Sequence, residues 1–244
     1  MNIAHSPVQS LSLSTRIPVF SLMRSLWFCC LSLLAFRVSA EVLEYDVFYK
    51  DTLSGTQSIT LTPSNSTIQV EDQMSLNIKV LFVTVYRYSE TCRASFSNGL
   101  PLRYEYQISD NGKTSLVVGV QSGDSLKVWK DRKETTIPLD DTRIHSWSLH
   151  LDRSLSLVPL PGSVRGPTNM FLLEEGGGIS LSIENAGTVN IAAVDKTWSA
   201  THVIWHKGKY QDQVWYASAL GNLPVRYEHE NANGRTLFVL KSIH

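Results

Sequence analysis

The chain has 244 residues, and its 22 basic side chains are matched by 22 acidic ones, so the formal net charge is zero. Hydrophobic residues make up 43%, too many for a disordered polymer, and no basic field exists to draw in nucleic acid. Three cysteines do not make a disulfide-stapled scaffold.

Residues 1–22 show no clear periodicity, and Met23 reads as the true start. Arg24 then supplies a positive region, Leu26 to Phe36 an apolar run, and Val38-Ser39-Ala40 a small-residue cleavage site. The apolar run is about half the ~20 residues of a membrane span, so residues 1–40 read as a leader and signal peptide cleaved after Ala40. Bulky Trp27 and Phe28 precede Cys29 and Cys30, the wrong neighbours for lipidation. The mature chain, 41–244, is then a single β-rich domain of about 200 residues, with a net charge of about −3. It is expected in the periplasm or secreted, with no membrane span. Cys92 is its lone cysteine, expected to be packed.

Strand follows strand. Val42–Tyr49 alternates apolar and polar, then come Thr56–Thr62 and a strand holding Ile68 and Val70. The segment 76–90, LNIKVLFVTVYRYSE, reads as one long strand whose centre is apolar on both faces. Leu76, Ile78, Val80, Phe82, Thr84, Tyr86 and Tyr88 share one face, and Leu81, Val83 and Val85 lie opposite, so something other than water is expected to cover them. Leu102–Ile108 has Tyr104 and Tyr106 inward and Arg103, Glu105 and Gln107 outward. Asn111-Gly112, Gly123-Asp124 and Asn233-Gly234 mark hairpin turns leading to strands at 113–120, 126–129 and 236–240.

The stretch 139–173 breaks this rhythm. Thr142–Leu151 suits a short helix or plug, and Val158–Thr168 is a proline-rich loop. Strands resume at 179–183, 188–194, 197–206, 210–218 and 225–230. The fold class is all-β and mainly antiparallel: a strongly curved sheet or incomplete β-barrel, built as two meanders of one sheet.

Chemistry-bearing patterns are sparse. His202 and His206 lie four residues apart on a strand, roughly 13 Å, too far to share a metal ion. His145, His150 and His229 are scattered, with no acid at a ligand spacing. No nucleophile elbow occurs, Glu174-Glu175 reads as solvated loop charge, and Glu44 and Asp46 as an exposed strand pair. No catalytic residue, metal or cofactor is indicated. The aromatic residues are the richest signal: Phe82, Tyr86, Tyr88, Tyr104 and Tyr106, with Trp147 as plug or lid, are the candidate ligand-binding residues.

The run Asn77–Glu90, with Asn98-Gly99-Leu100, Ser109-Asp110-Asn111-Gly112-Lys113, Tyr45-Asp46-Val47, Val214-Trp215-Tyr216 and Leu223-Pro224-Val225, resembles an uncharacterised family of exported bacterial β proteins. The resemblance covers most of 42–240 and matches least well over 139–175. That family is distantly similar in pattern to Lol-type lipoprotein carriers, whose open β-barrel holds acyl chains. The resemblance implies a lipid or other apolar molecule in the concave face. The alternatives are an enzyme without a recognisable motif and an envelope module that captures a protein partner on an exposed sheet edge.

Overall fold

The computed structural model describes residues 39–244 apart from 99, 140–142, 145–154, 156, 209 and 232–233. The leader expected over residues 1–40 lies almost wholly outside the described residues, as do Trp147 and nearly all of the proposed helix or plug. Val38–His244 forms one compact unit.

Among the described residues fifteen strands build a single sheet: β1 (Glu41–Tyr49), β2 (Thr52–Ser64), β3 (Thr67–Val80), β4 (Val83–Ser97), β5 (Leu100–Asp110), β6 (Lys113–Ser122), β7 (Ser125–Lys130), β8 (Lys133–Pro138), β9 (Arg143–Ile144), β10 (Val164–Leu172), β11 (Gly177–Ala193), β12 (Lys196–Lys207), β13 (Tyr210–Ala217), β14 (Leu223–Asn231) and β15 (Gly234–Ile243). The strand order is β8-β7-β6-β5-β4-β3-β2-β1-β15-β14-β13-β12-β11-β10-β9. Every neighbouring pair is antiparallel except the two-residue β9 alongside β10. The N-terminal and C-terminal strands therefore meet in the middle, with β1 between β2 and β15. The two meanders fan outward from this seam to β8 and β9, the edge strands of the sheet among the described residues. Among the described residues there is no α-helix, only a 3₁₀ turn at Ser218–Leu220. The fold is an all-β, strongly curved, incomplete barrel.

The curl follows from period-two burial interrupted by bulges. Leu43, Tyr45 and Val47 on β1, Ile59 and Leu61 on β2 and Tyr104 and Tyr106 on β5 all turn inward. Register shifts at Val47/Phe48, Ser95/Phe96, Asn185/Gly187 and Trp215/Tyr216 bend the strands and increase their twist. The main core runs from β1 through β7 and also takes in Phe171, Leu173, Ala193 and Leu223 from the opposite arm. A second core gathers Met170, Ile183, Val203, Trp205, Val214 and Tyr216 under Leu155, Leu157 and Val158. The Tyr45 hydroxyl donates to the Pro224 carbonyl at 2.9 Å, tying β1 to the start of β14.

Three expectations are corrected. The segment 76–90 is not one strand: the chain reverses at Leu81-Phe82, whose positive φ values of 48° and 69° make a two-residue turn between the paired Val80 and Val83. The apolar centre is thus a hairpin tip, and nothing among the described residues covers it: Leu81 is 87% and Phe82 100% exposed. Conversely, the strands expected at 179–183 and 188–194 are one 17-residue strand, β11, kinked where Gly187 adopts a φ of 94°. Finally, much of the proline-rich loop is strand, since Val164–Leu172 forms β10.

Candidate functional site

Inward alternation along β4 places Tyr86, Tyr88 and Glu90 successively on the face that continues into Cys92, Ala94 and Phe96. Cys92 pairs with Tyr106 on β5 and with Asp72 on β3, so both flank Glu90 diagonally. The Tyr88 and Tyr106 hydroxyls each donate to the same Glu90 oxygen, Oε2, at 2.7 Å. On β2, Gln57 donates its amide to both oxygens of Asp72, at 3.1 and 3.0 Å. A polar chain therefore crosses β2 to β5 inside an otherwise apolar interior.

Burial dominates its electrostatics. Asp72, only 2% exposed, has its carboxyl pushed well above the usual range by desolvation and then by the charge of Glu90, against the opposing Gln57 bond. Desolvation also raises Glu90, although its two tyrosine donors oppose the shift. Charge on one carboxyl disfavours charge on the other, so the pair retains a proton where free carboxylates are ionised. Tyr88, Tyr104 and Tyr106 are likewise raised, burial first, and Tyr88 and Tyr106 remain neutral donors to Glu90.

The β10–β11 turn reaches into this interior. Phe171 and Leu173 are buried there, and Phe171 meets the Tyr104 ring edge-on at a centroid distance of 6.0 Å. A side chain at Gly176 would come within 3.0 Å of Val117 and Val128, so glycine seats the turn against β6 and β7. The Lys130 ammonium donates to the Glu175 carbonyl at 3.2 Å. Glu174, expected to be solvated, places its charge within electrostatic reach of Tyr88, Tyr104, Tyr106, Glu90 and Tyr227.

A second polar cluster forms where β12, β13 and β14 pair. Asp212 is fully buried, with the Lys207 ammonium at 2.7 Å and His229 Nδ1 at 2.6 Å. Tyr227 hydrogen-bonds the same carboxylate. The sequence shows no acid at a ligand spacing from His229; the β13–β14 register sets Asp212 directly opposite it. His202 and His206 engage different partners. His202 stacks on Trp215 at 4.4 Å and bonds Gln213, while His206 bonds Glu184 at 3.0 Å. Among the described residues no group of three metal-capable side chains occurs.

The candidate ligand residues divide. Tyr86 and Tyr88 are half-buried against the main core, Tyr104 and Tyr106 lie within it, and Phe82 stands outside at the hairpin tip. Glu90 and Asp72 were not singled out from the sequence. Extending the period of two from Tyr86 and Tyr88 by one step reaches Glu90. Two open depressions, about 660 and 430 Å³, share Ser75 and Ser89 in their walls.

A comparison with curated proteins finds no match. Among solved structures, a β-barrel-like protein of Brucella abortus, itself of a domain of unknown function (DUF1849), superimposes with a TM-score of 0.60 at 9% identity. It covers 86% of this chain and 99% of that one, and shows the shared barrel-like fold. The Mycobacterium tuberculosis lipoprotein LppX aligns over 91% of this chain and 94% of its own at 11% identity, with a TM-score of 0.27, too low to carry a common architecture. A family profile matches residues 45–224, most of the sheet, and the chain belongs to that family, a domain of unknown function (DUF6134).

Proposed function

We propose that this is an exported protein that holds a lipid or other apolar molecule at one end of its curved sheet. One observation carries the reading. Tyr49, Ile78, Tyr86, Tyr88 and Ile108 form a half-buried aromatic and aliphatic collar against the main core, left partly open to solvent. Phenol rings with buried bodies and polar tips suit the rim of such a site. The buried Glu90 network fixes the Tyr88 ring, so the collar is pre-organised. Export is supported by the leader pattern of residues 23–40, and no helix among the described residues is long and apolar enough to cross a membrane.

The test is native mass spectrometry of gently purified protein. A bound species of lipid mass is expected, and its occupancy should fall in Tyr86→Asp without loss of fold. A mass equal to that of the bare chain, under conditions that preserve known lipid complexes, defeats the reading.

A second reading, chemistry in the interior, is favoured by Asp212 with His229 and Lys207. A buried carboxylate that orients an imidazole is the arrangement of a general base. It is supported if the co-purified molecule is converted over time, and if conversion stops in His229→Gln while binding persists.

A further inference from the structure

We propose that the β3–β4 hairpin is a membrane-contacting finger, which places Leu81 and Phe82 into the interface of an anionic lipid bilayer. Among the described residues the ribbon outruns the strands beside it. β2 pairs with β3 no further than Leu76, and β5 pairs with β4 no further than Tyr88. Residues 77–86 therefore run on past the neighbouring strands, roughly 15 Å at ~3.4 Å per residue. Its inner face, Ile78 and Tyr86, leans on the main core, whereas its tip and outer face, Leu81, Phe82, Val83 and Val85, are exposed; a two-stranded ribbon gains little stability from such residues in water.

That sequence contradicts the turn it makes. Both loop positions have positive φ, where Asn-Gly is the favoured pair, yet leucine and phenylalanine occupy them. Val83 and Val85 extend the apolar surface and are 64% and 54% exposed. Local rules broken without any gain in packing mark functional sites.

Charge names the occupant. Between Leu76 and Tyr88 the only charged residues are Lys79 and Arg87, both exposed, and there is no acid. Apolar tips with a basic collar below them match the layered chemistry of a bilayer, in which acyl chains lie beneath a phosphate plane. Asn111 braces the base of the finger: its side chain accepts from the Arg87 amide at 3.0 Å, and its own amide donates to the Arg87 carbonyl at 2.8 Å. A second copy pairing along the ribbon would set these same cations against each other, which disfavours self-association.

The experiment is flotation of the compact unit, residues 38–244, with phosphatidylcholine vesicles with and without phosphatidylglycerol. The parent is expected to float with the anionic vesicles. Leu81→Asn/Phe82→Gly, which restores the favoured turn, should fold at least as well and bind at least tenfold more weakly. Lys79→Gln/Arg87→Gln should lose about fivefold per charge, and only on the anionic vesicles. The inference is overturned if the parent does not float, if the Asn-Gly variant floats like the parent, or if the variant instead abolishes a dimer seen by sedimentation. The finger shares Ile78 and Tyr86 with the collar, but its variants leave both in place, and ligand retention is read by mass on the same samples, so each idea fails on its own measurement.

Discussion

Gln57 and Asp72 are joined by one amide group that donates to both carboxyl oxygens across the β2–β3 pair. This is an expensive place for a carboxyl, because burial and the nearby Glu90 both oppose its charge. The native state therefore keeps a proton that the unfolded chain releases near the ordinary aspartate pKa of about 3.9. The contribution of this group is greatest below that value and is lost as pH rises through the elevated native pKa. Asp72→Asn should remove the loss, since the Gln57 amide can turn to present its oxygen. Stability at neutral pH is expected to rise by about 1–3 kcal/mol, with a flatter profile of urea midpoint against pH than in the parent.

Glu90 offers a sharper test of coupling. Tyr88→Phe or Tyr106→Phe alone removes one of two donors to Oε2 and should cost about 1 kcal/mol. Together they leave a desolvated carboxylate without either phenol, and the cost should exceed the sum of the singles. A double-mutant cycle in urea reads the difference, and simple additivity would show that the two bonds act independently.

Tyr104 lies over Gly119 in the β5–β6 pair, so close that a Cβ there would sit 1.9 Å from the ring. Gly119→Ala must displace a ring that is itself fully buried. A loss of about 1–3 kcal/mol is expected from this overpacking, seen as a lower thermal midpoint. Tyr104→Ala should relieve part of it when the two changes are combined.

The finger has a stability signature of its own. Each bulky residue held in the left-handed region costs about 1–2 kcal/mol. Leu81→Asn/Phe82→Gly is therefore expected to stabilise the protein in solution by about 1–3 kcal/mol, even while removing two large apolar side chains. Calorimetry without vesicles measures this directly.

The same two residues show what the sequence concealed. Period-two patterning was sufficient for β1, β5 and the inward tyrosines, because one face of each strand is wet. Asn111-Gly112 announced its turn, with φ values of 46° and 83°. Leu81-Phe82 did not: its turn chemistry is absent, so a hairpin read as a continuous strand. Around Gly187 the opposite happened, and one strand that is only kinked there read as two, 179–183 and 188–194. The site was less legible than the fold. Glu90 was one period from residues already identified, but Asp212 and His229 are 17 positions apart and meet only once the β13–β14 register is known. Glu174 was hidden for a different reason, since nothing local distinguishes a turn in solvent from one folded into a barrel.

The seam between β1 and β15 sets the order of assembly. Leu43 pairs with Ile243, and Val42 and His244 exchange backbone hydrogen bonds at 3.0 and 2.9 Å. Nearly the whole polypeptide must be made before this centre can zip, whereas the arm from β1 to β8 is a string of local hairpins ready much earlier. Such distant pairing is slow because loop closure must be overcome before any contact repays it. The adjacency of these two strands also means that joining β15 to β1 and reopening the chain at Gly123-Asp124 keeps every pairing of the described sheet and turns the central seam into a local hairpin.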